Sequence, residues 1–228
     1  GQIMGRGGIA DRLVGLSRSL VGWVRGGTSY VSVLSSMFFG GVSGSAVADA
    51  SSIGSIMIPM MKKEGYHAEF STAVTISSPT LGLIIPPSNV MILFAAVAAG
   101  AVAVGGPYVN VPLDIRTMFL AGFIPGALVA ASLLCVCGIV SRRRGYPKGR
   151  WLGVKEIVRA LGRAVWALAV VVIILGGIFF GLVTADESAA VAVLAGLVVA
   201  LAVYRELKWS ELPGLLRDTL ATTGVVLF

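Results

Sequence analysis

The residues of this chain whose types and spacing could do chemistry are small, hydroxylated and clustered. Gly40-Gly41-Val42-Ser43-Gly44-Ser45, then Ala46-Val47-Ala48-Asp49, sets glycine backbone beside hydroxyl oxygens. Glycines let backbone carbonyls turn outward, and Ser43 and Ser45 add side-chain oxygens. Oxygen-rich, unwound backbone suits a desolvated cation such as Na+. The amino end of the helix that follows suits a carboxylate. Asp49 lies about one turn further on, inside an apolar segment, where acids are costly and functional by default. The plainer readings are helix capping for Asp49 and close helix packing for the glycines.

A second cluster is Ser77-Ser78-Pro79-Thr80, followed at a short distance by Pro86-Pro87-Ser88-Asn89. Prolines remove backbone donors, so a broken helix here would free carbonyls for an ion. A proline kink satisfied by serine and threonine hydroxyls is the plainer alternative. Two broken segments in succession favour the functional reading.

Gly41-Val42-Ser43-Gly44 also fits the G-x-S-G pattern of rhomboid-type intramembrane serine proteases. Such an enzyme needs a histidine base within hydrogen-bond reach of the serine. The chain has one histidine, His67, in the charged loop Lys62 to His67. That loop reads as solvated and distant from a tip at Ser43. A passive channel or a structural scaffold is a third reading.

The elements that would position these residues are membrane-spanning helices. Of 228 residues, 56% are hydrophobic and 13% charged, and the mean hydropathy is +0.91. Runs such as Ala164 to Val183 and Ser188 to Tyr204 are long enough to cross a bilayer. Their apolar residues are continuous and do not alternate, which excludes a barrel. The net charge of +7 comes from basic residues between apolar spans. It orients the protein in the membrane and argues against nucleic acid as a partner. Cys135 and Cys137 share one apolar run and read as small hydrophobes, not a disulfide or metal pair. The Arg142-Arg143-Arg144 run is an orientation signal with membrane lipid as a potential contact.

The expected order begins with an amphipathic arm helix over 1–28. Its stripe of Ile9, Leu13, Leu16, Leu20 and Val24 is suited to lying in the membrane interface. Tyr30 to Met61 is 32 residues long. As one helix it would run about 48 Å, against a hydrocarbon core of roughly 30 Å. It therefore reads as a re-entrant hairpin of two half-helices over 29–61. A discontinuous span covers 68–105, and the loop Gly105 to Arg116 leads to a plain span over 117–140. These form one half of a transport domain over 29–140. A basic loop and amphipathic helix cover 141–163, and two scaffold-type spans 164–207. Thr184 to Glu187 reads as a helix start. An arm helix and the beginning of a second hairpin cover 208–228. With Ser141 to Arg150 in the cytoplasm and the hairpin re-entrant, every Lys and Arg except Arg116 falls on the cytoplasmic side. The two arm helices, each before a hydroxyl-rich apolar entry, hint at an inverted repeat whose second copy is truncated. The ends of the sequence read as a piece of a longer chain.

Four motifs now stand in order: Ser43 to Ala50, Gly54-Ser55-Ile56-Met57-Ile58-Pro59, Ile84-Ile85-Pro86-Pro87-Ser88, and Phe119-Leu120-Ala121-Gly122-Phe123-Ile124-Pro125-Gly126. Together they resemble the large membrane subunit of tripartite ATP-independent periplasmic (TRAP) transporters, across nearly the whole chain. The resemblance implies an all-α, multi-pass protein of the bacterial inner membrane. It implies an elevator-type, Na+-coupled importer of organic acids, of the C4-dicarboxylate or sialic acid class, and not an enzyme. The implied partners are a small membrane subunit, sometimes fused, and a periplasmic substrate-binding protein. Residue reading and resemblance together give the expected sites. Substrate contacts fall on Ser43, Gly44, Ser45, Asp49, Ser88 and Asn89. Sodium contacts fall on Gly41, Ser43, Ser45, Ser77, Ser78, Pro79, Thr80 and Pro86. Two departures from the family pattern are a longer connection at Ala101 to Arg116 and an end where the second hairpin should begin.

Overall fold

The computed structural model describes residues 2–103 and 115–227. Among them the regular elements are helices, apart from one antiparallel bridge between Arg25 and Lys148. Most of the connection expected over Gly105 to Arg116 lies outside the described residues.

The first arm is two helices, α1 (Gln2–Arg6) and α2 (Ile9–Val21), not one. Gly8, at φ 72°, turns the chain between them. Ile9, Leu13 and Leu16 of the α2 stripe are fully or almost fully buried. They face α3 (Gly27–Ser43) and α9 (Val154–Phe179) within one core. The stripe expected to face the membrane interface is turned into the protein core. The α9 face in that core includes Ala160, Ala164 and Ala167 beside Val170, Ile174 and Ile178, and the small side chains let helices approach closely.

α3 and α4 (Ala46–Lys63) form the hairpin expected over 29–61. They have 17 and 18 residues, so each is about 26 Å long at 1.5 Å per residue. Each arm is thus nearly as long as the hydrocarbon core is thick, and longer than a half-helix. Gly44 makes the turn at φ 60°, and its N–H donates to the Gly40 carbonyl at 2.8 Å. Glycine occupies this left-handed conformation without a Cβ penalty. At the other end the Thr28 hydroxyl donates to the Glu64 carboxylate, and Arg18 stands 3.8 Å from the same group. The two arms therefore begin and end together.

The discontinuous segment runs through α5 (Ala68–Ser77), one tight turn at Ser78–Thr80, α6 (Leu81–Ile84) and α7 (Asn89–Ala103). It was expected to break twice and breaks once. Ser77 to Thr80 stays helical, because proline is tolerated in a first turn. The Ser78 hydroxyl donates to the Val74 carbonyl and that of Thr80 to the Ser77 carbonyl, both at 2.7 Å. The real break is at Ile85, which is extended (φ −82°, ψ 127°), and continues through Pro86 and Pro87.

The two segments touch backbone to backbone. A methyl group on Gly40 would lie 2.4 Å from the Gly82 Cα, and one on Gly82 would lie 2.7 Å from the Gly40 Cα. α8 (Ile115–Arg143) closes over the break. A methyl on Gly122 would meet the Ile84 carbonyl oxygen at 2.6 Å, and one on Gly126 the Ile85 side chain at the same distance. Two of the four motifs, Ile84 to Ser88 and Phe119 to Gly126, thus meet here.

α8 and α9 are long and apolar enough to cross a membrane. α9 fuses the amphipathic stretch after residue 153 to the next span, which ends at Phe179 and not at Val183. Val154, Val158 and Leu161 are exposed, while Ala164, Ala167, Val170 and Ile174 are buried. α10 (Ala185–Val198) starts on a capping box between Thr184 and Glu187, as the sequence predicts, and widens into a π turn at Val199–Val203. α11 (Leu212–Leu227) follows a short turn and returns to the first arm through an Arg6–Asp218 ion pair of 2.7 Å.

The basic residues gather where the hairpin arms begin. Arg18, Lys63, Lys148 and Arg150 line one cavity there with Glu64. Tyr146 stacks on Tyr66 (4.2 Å) and Phe70 (5.5 Å), fixing the 141–150 loop to the hairpin base. Hairpin base and basic loop therefore share one end of the molecule, as the charge distribution expects.

Candidate functional site

The tip of the hairpin and the break after Ile84 face each other. A methyl on Gly41 would be 3.7 Å from the Pro86 carbonyl oxygen and 3.9 Å from the Pro87 ring. Ser43, Gly44 and Pro87 line a cavity of about 230 Å³. Its other walls come from α1, α7, α9 and α10, including Met4, Ile92, Ile174 and Ser188.

Within the tip, the Ser45 N–H donates to the Ser43 hydroxyl at 3.3 Å. Ser45 is extended and its hydroxyl caps α4 by accepting from the Ala48 N–H at 3.4 Å. At the second break the Ser88 hydroxyl donates to the Leu83 carbonyl and accepts from the Met91 N–H at 3.4 Å. Two helix amino ends, those of α4 and α7, are thus capped by serines beside the two turns. Their unpaired N–H groups carry partial positive charge.

Asp49 does not reach the cavity wall. It is fully buried between the hairpin arms, where the Ser36 hydroxyl donates to Oδ1 at 3.2 Å. Oδ2 has no hydrogen-bond partner among the described residues. Ser32 on the same face of α3 lies 3.5 Å from the Thr75 hydroxyl of α5. Ser32 and Ser36, one turn apart on α3, thus carry two separate buried contacts, one to α5 and one to the acid.

The expected residues divide accordingly. Ser43 and Gly44 meet at the cavity, with Gly41 and Pro86 packed behind it. Ser45 and Ser88 cap the helices that lead away from it, and Asn89 opens α7. Ser77 and Thr80 are exposed, and Ser78 and Pro79 are buried, with none of the four on the cavity wall. Ser188 was missed. It is almost fully buried in the first turn of α10 and completes the cavity from the far side. The signal was a serine one residue after a capping box at the head of an apolar run.

Outside the membrane segments, Glu187 accepts from the Thr184 N–H at 2.8 Å, and that contact holds its carboxyl below the usual range. His67 sits at the hairpin base, its Nδ1 3.1 Å from the Tyr146 hydroxyl. It is one arm length, about 26 Å, from Ser43. The tip serine has no histidine base, and the protease reading lapses.

The facing helix breaks and the small cavity between them, where Ser43, Gly44 and Ser188 stand among apolar side chains, lie in a helical protein with two helices long and apolar enough to cross a membrane. The family model for the tripartite ATP-independent periplasmic transporter, DctM component, matches residues 1–228. The chain belongs to that family. It is 40% identical over 204 residues to the C4-dicarboxylate TRAP transporter large permease protein DctM of Vibrio cholerae, covering 90% of this chain and 42% of the relative. It is 38% identical to the uncharacterized protein YgiK of Salmonella typhimurium, over 100% of this chain and 49% of the relative. It is 33% identical to the sialic acid TRAP transporter permease protein SiaT of Haemophilus influenzae, over 99% of this chain and 35% of the relative. The chain thus spans half or less of the length of these relatives. Those named for a substrate are transporter permeases.

Proposed function

We propose that the chain is part of the large permease of a transporter that imports an organic acid anion across the bacterial inner membrane, driven by Na+. The observation that carries this reading is the meeting of the Ser43-Gly44 turn with the Pro86-Pro87 break on one cavity. Both turns offer oxygen donors only, which fits a hard cation. Gly41, Ser43, Ser45 and Pro86 are the proposed Na+ contacts. The capped amino ends of α4 and α7 supply positive potential for a carboxylate. Ser43, Gly44, Ser88 and Asn89 are the proposed substrate contacts, with Ser188 added. The neighbouring Ser77 to Thr80 segment is the further proposed ion wall, reached through a rearrangement of the tip.

The substrate class follows from relatives named for C4-dicarboxylate and sialic acid. Both are carboxylates, so the shared chemistry is anion recognition. A small membrane subunit and a periplasmic binding protein are the proposed partners. The hairpin, the second break and α8 form the proposed moving body of an elevator, and α9 and α10 belong to its scaffold. Each positive charge carried inward gains about 2.3 kcal/mol per 100 mV of membrane potential.

The test is uptake of radiolabelled C4-dicarboxylate and sialic acid into proteoliposomes holding the full-length permease and its partner subunit. Uptake that requires both an inward Na+ gradient and the binding protein supports the proposal. Uptake independent of both would replace it with a passive channel.

A further inference from the structure

A second groove lies at the basic end, between α3 and α8, away from the transport cavity. It has a volume of about 580 Å³. Three cations converge on it from three elements: Arg25 after α2, Arg142 in the last turn of α8, and Lys148 in the 141–150 loop. No carboxylate lines the groove, and among the described residues none of the three has an ion-pair partner. Other arginines here do pair: Arg6 with Asp218, Arg12 with Glu206, and Arg159 with Glu156.

The backbone fixes this arrangement. Arg25 and Lys148 face each other across the antiparallel bridge, and the Gly26 N–H donates to the Pro147 carbonyl at 2.9 Å. Trp23 and Trp151 pack edge to face at 5.3 Å beside it. Like charges held together repel, and an anion between them would remove that cost. Guanidinium forks match phosphate oxygens in geometry as well as charge.

We propose that this groove binds the phosphodiester headgroup of an anionic phospholipid. The groove joins two environments. Its lining combines the three cations with Trp23, which is exposed, Tyr30 and Gly138. Gly138 leaves room for Tyr30, whose hydroxyl a methyl there would meet at 2.5 Å. Val136 and Ile139 of α8 beside it are exposed and apolar. Tryptophan and tyrosine beside clustered cations mark a lipid–water boundary, where a headgroup sits above its chains. A free phosphate would use the cations and leave the aromatic part of the lining without a role.

The test is native mass spectrometry of the full-length chain in mild detergent with phosphatidylglycerol. Lys148→Gln is expected to lower occupancy about fivefold, and Arg25→Gln, Arg142→Gln and Lys148→Gln together by more than about twentyfold. A control with Lys62→Gln, Arg143→Gln and Arg144→Gln removes equal charge at the same end and is expected to retain the lipid. Equal loss in the control, or no loss in either groove variant, overturns the site. Equal occupancy by phosphatidylcholine also overturns it. Displacement by millimolar inorganic phosphate would assign the groove to bare phosphate and overturn the lipid source.

Discussion

At the scale of single residues, Asp49 is the most constrained group near the tip. One oxygen is bonded to Ser36 and the other is buried without a partner. Burying an acid this way is costly unless something compensates. Asp49→Asn in the full-length permease is expected to lower Na+-dependent uptake at least about tenfold while the protein still folds. Unchanged Na+ dependence would show that the buried acid takes no part in ion coupling. Gly44 makes a different demand, since its φ of 60° excludes an ordinary side chain. Gly44→Ala should cost about 1–2 kcal/mol of stability, read as a lower thermal midpoint in detergent. Glu187 gives a pH prediction. Its carboxyl is held low by Thr184, so the cap contributes above the ordinary carboxylate range and is lost as pH falls through the folded value. Hydrogen-exchange protection in the first turn of α10, taken relative to the intrinsic rate at each pH, should therefore fall on acidification, and Glu187→Gln should flatten that fall.

At the scale of elements, the crossing of α3 and α6 holds the site together. A methyl on Gly40 or Gly82 would strike backbone, which cannot step aside. Either change to Ala should destabilise the protein by about 1–3 kcal/mol and depress transport without touching the cavity. Transport retained alongside an unchanged melting point would show that the crossing is slack. The hairpin was legible because its length exceeded one span and glycine and serine marked the turn. The Ser77 to Thr80 turn was not, since Ser-Pro-Thr reads alike as a tight helical turn or as an unwound segment. Its hydroxyls decide the matter by bonding back to Val74 and Ser77. The burial of α2 was also hidden. Its partner face on α9 lies some 150 residues away in sequence and includes Ala160, Ala164 and Ala167, small residues that carry little amphipathic signal of their own. Ser188 escaped for a similar reason, because what gives it a role is the tip of an element far away in the chain.

For the whole molecule, the shared end of hairpin base and basic loop fixes an orientation. In the full-length chain with Cys135 and Cys137 replaced by Ser, cysteines at Lys63 and Arg150 should react with an impermeant thiol reagent from one side of the membrane. A cysteine at Leu182, beyond the far end of α9, should react from the other. Labelling of Lys63→Cys and Arg150→Cys from opposite sides would show that the hairpin crosses the membrane. The glycine crossing bears on the history of such a molecule. Most tight contacts can be renegotiated in descent: one partner grows, the other shrinks, and the volume is kept. Gly40 and Gly82 are both already the smallest residue there is. Neither can yield room to the other, so no second substitution at the pair rescues the first. Change at this crossing has to wait for the two helices themselves to move apart.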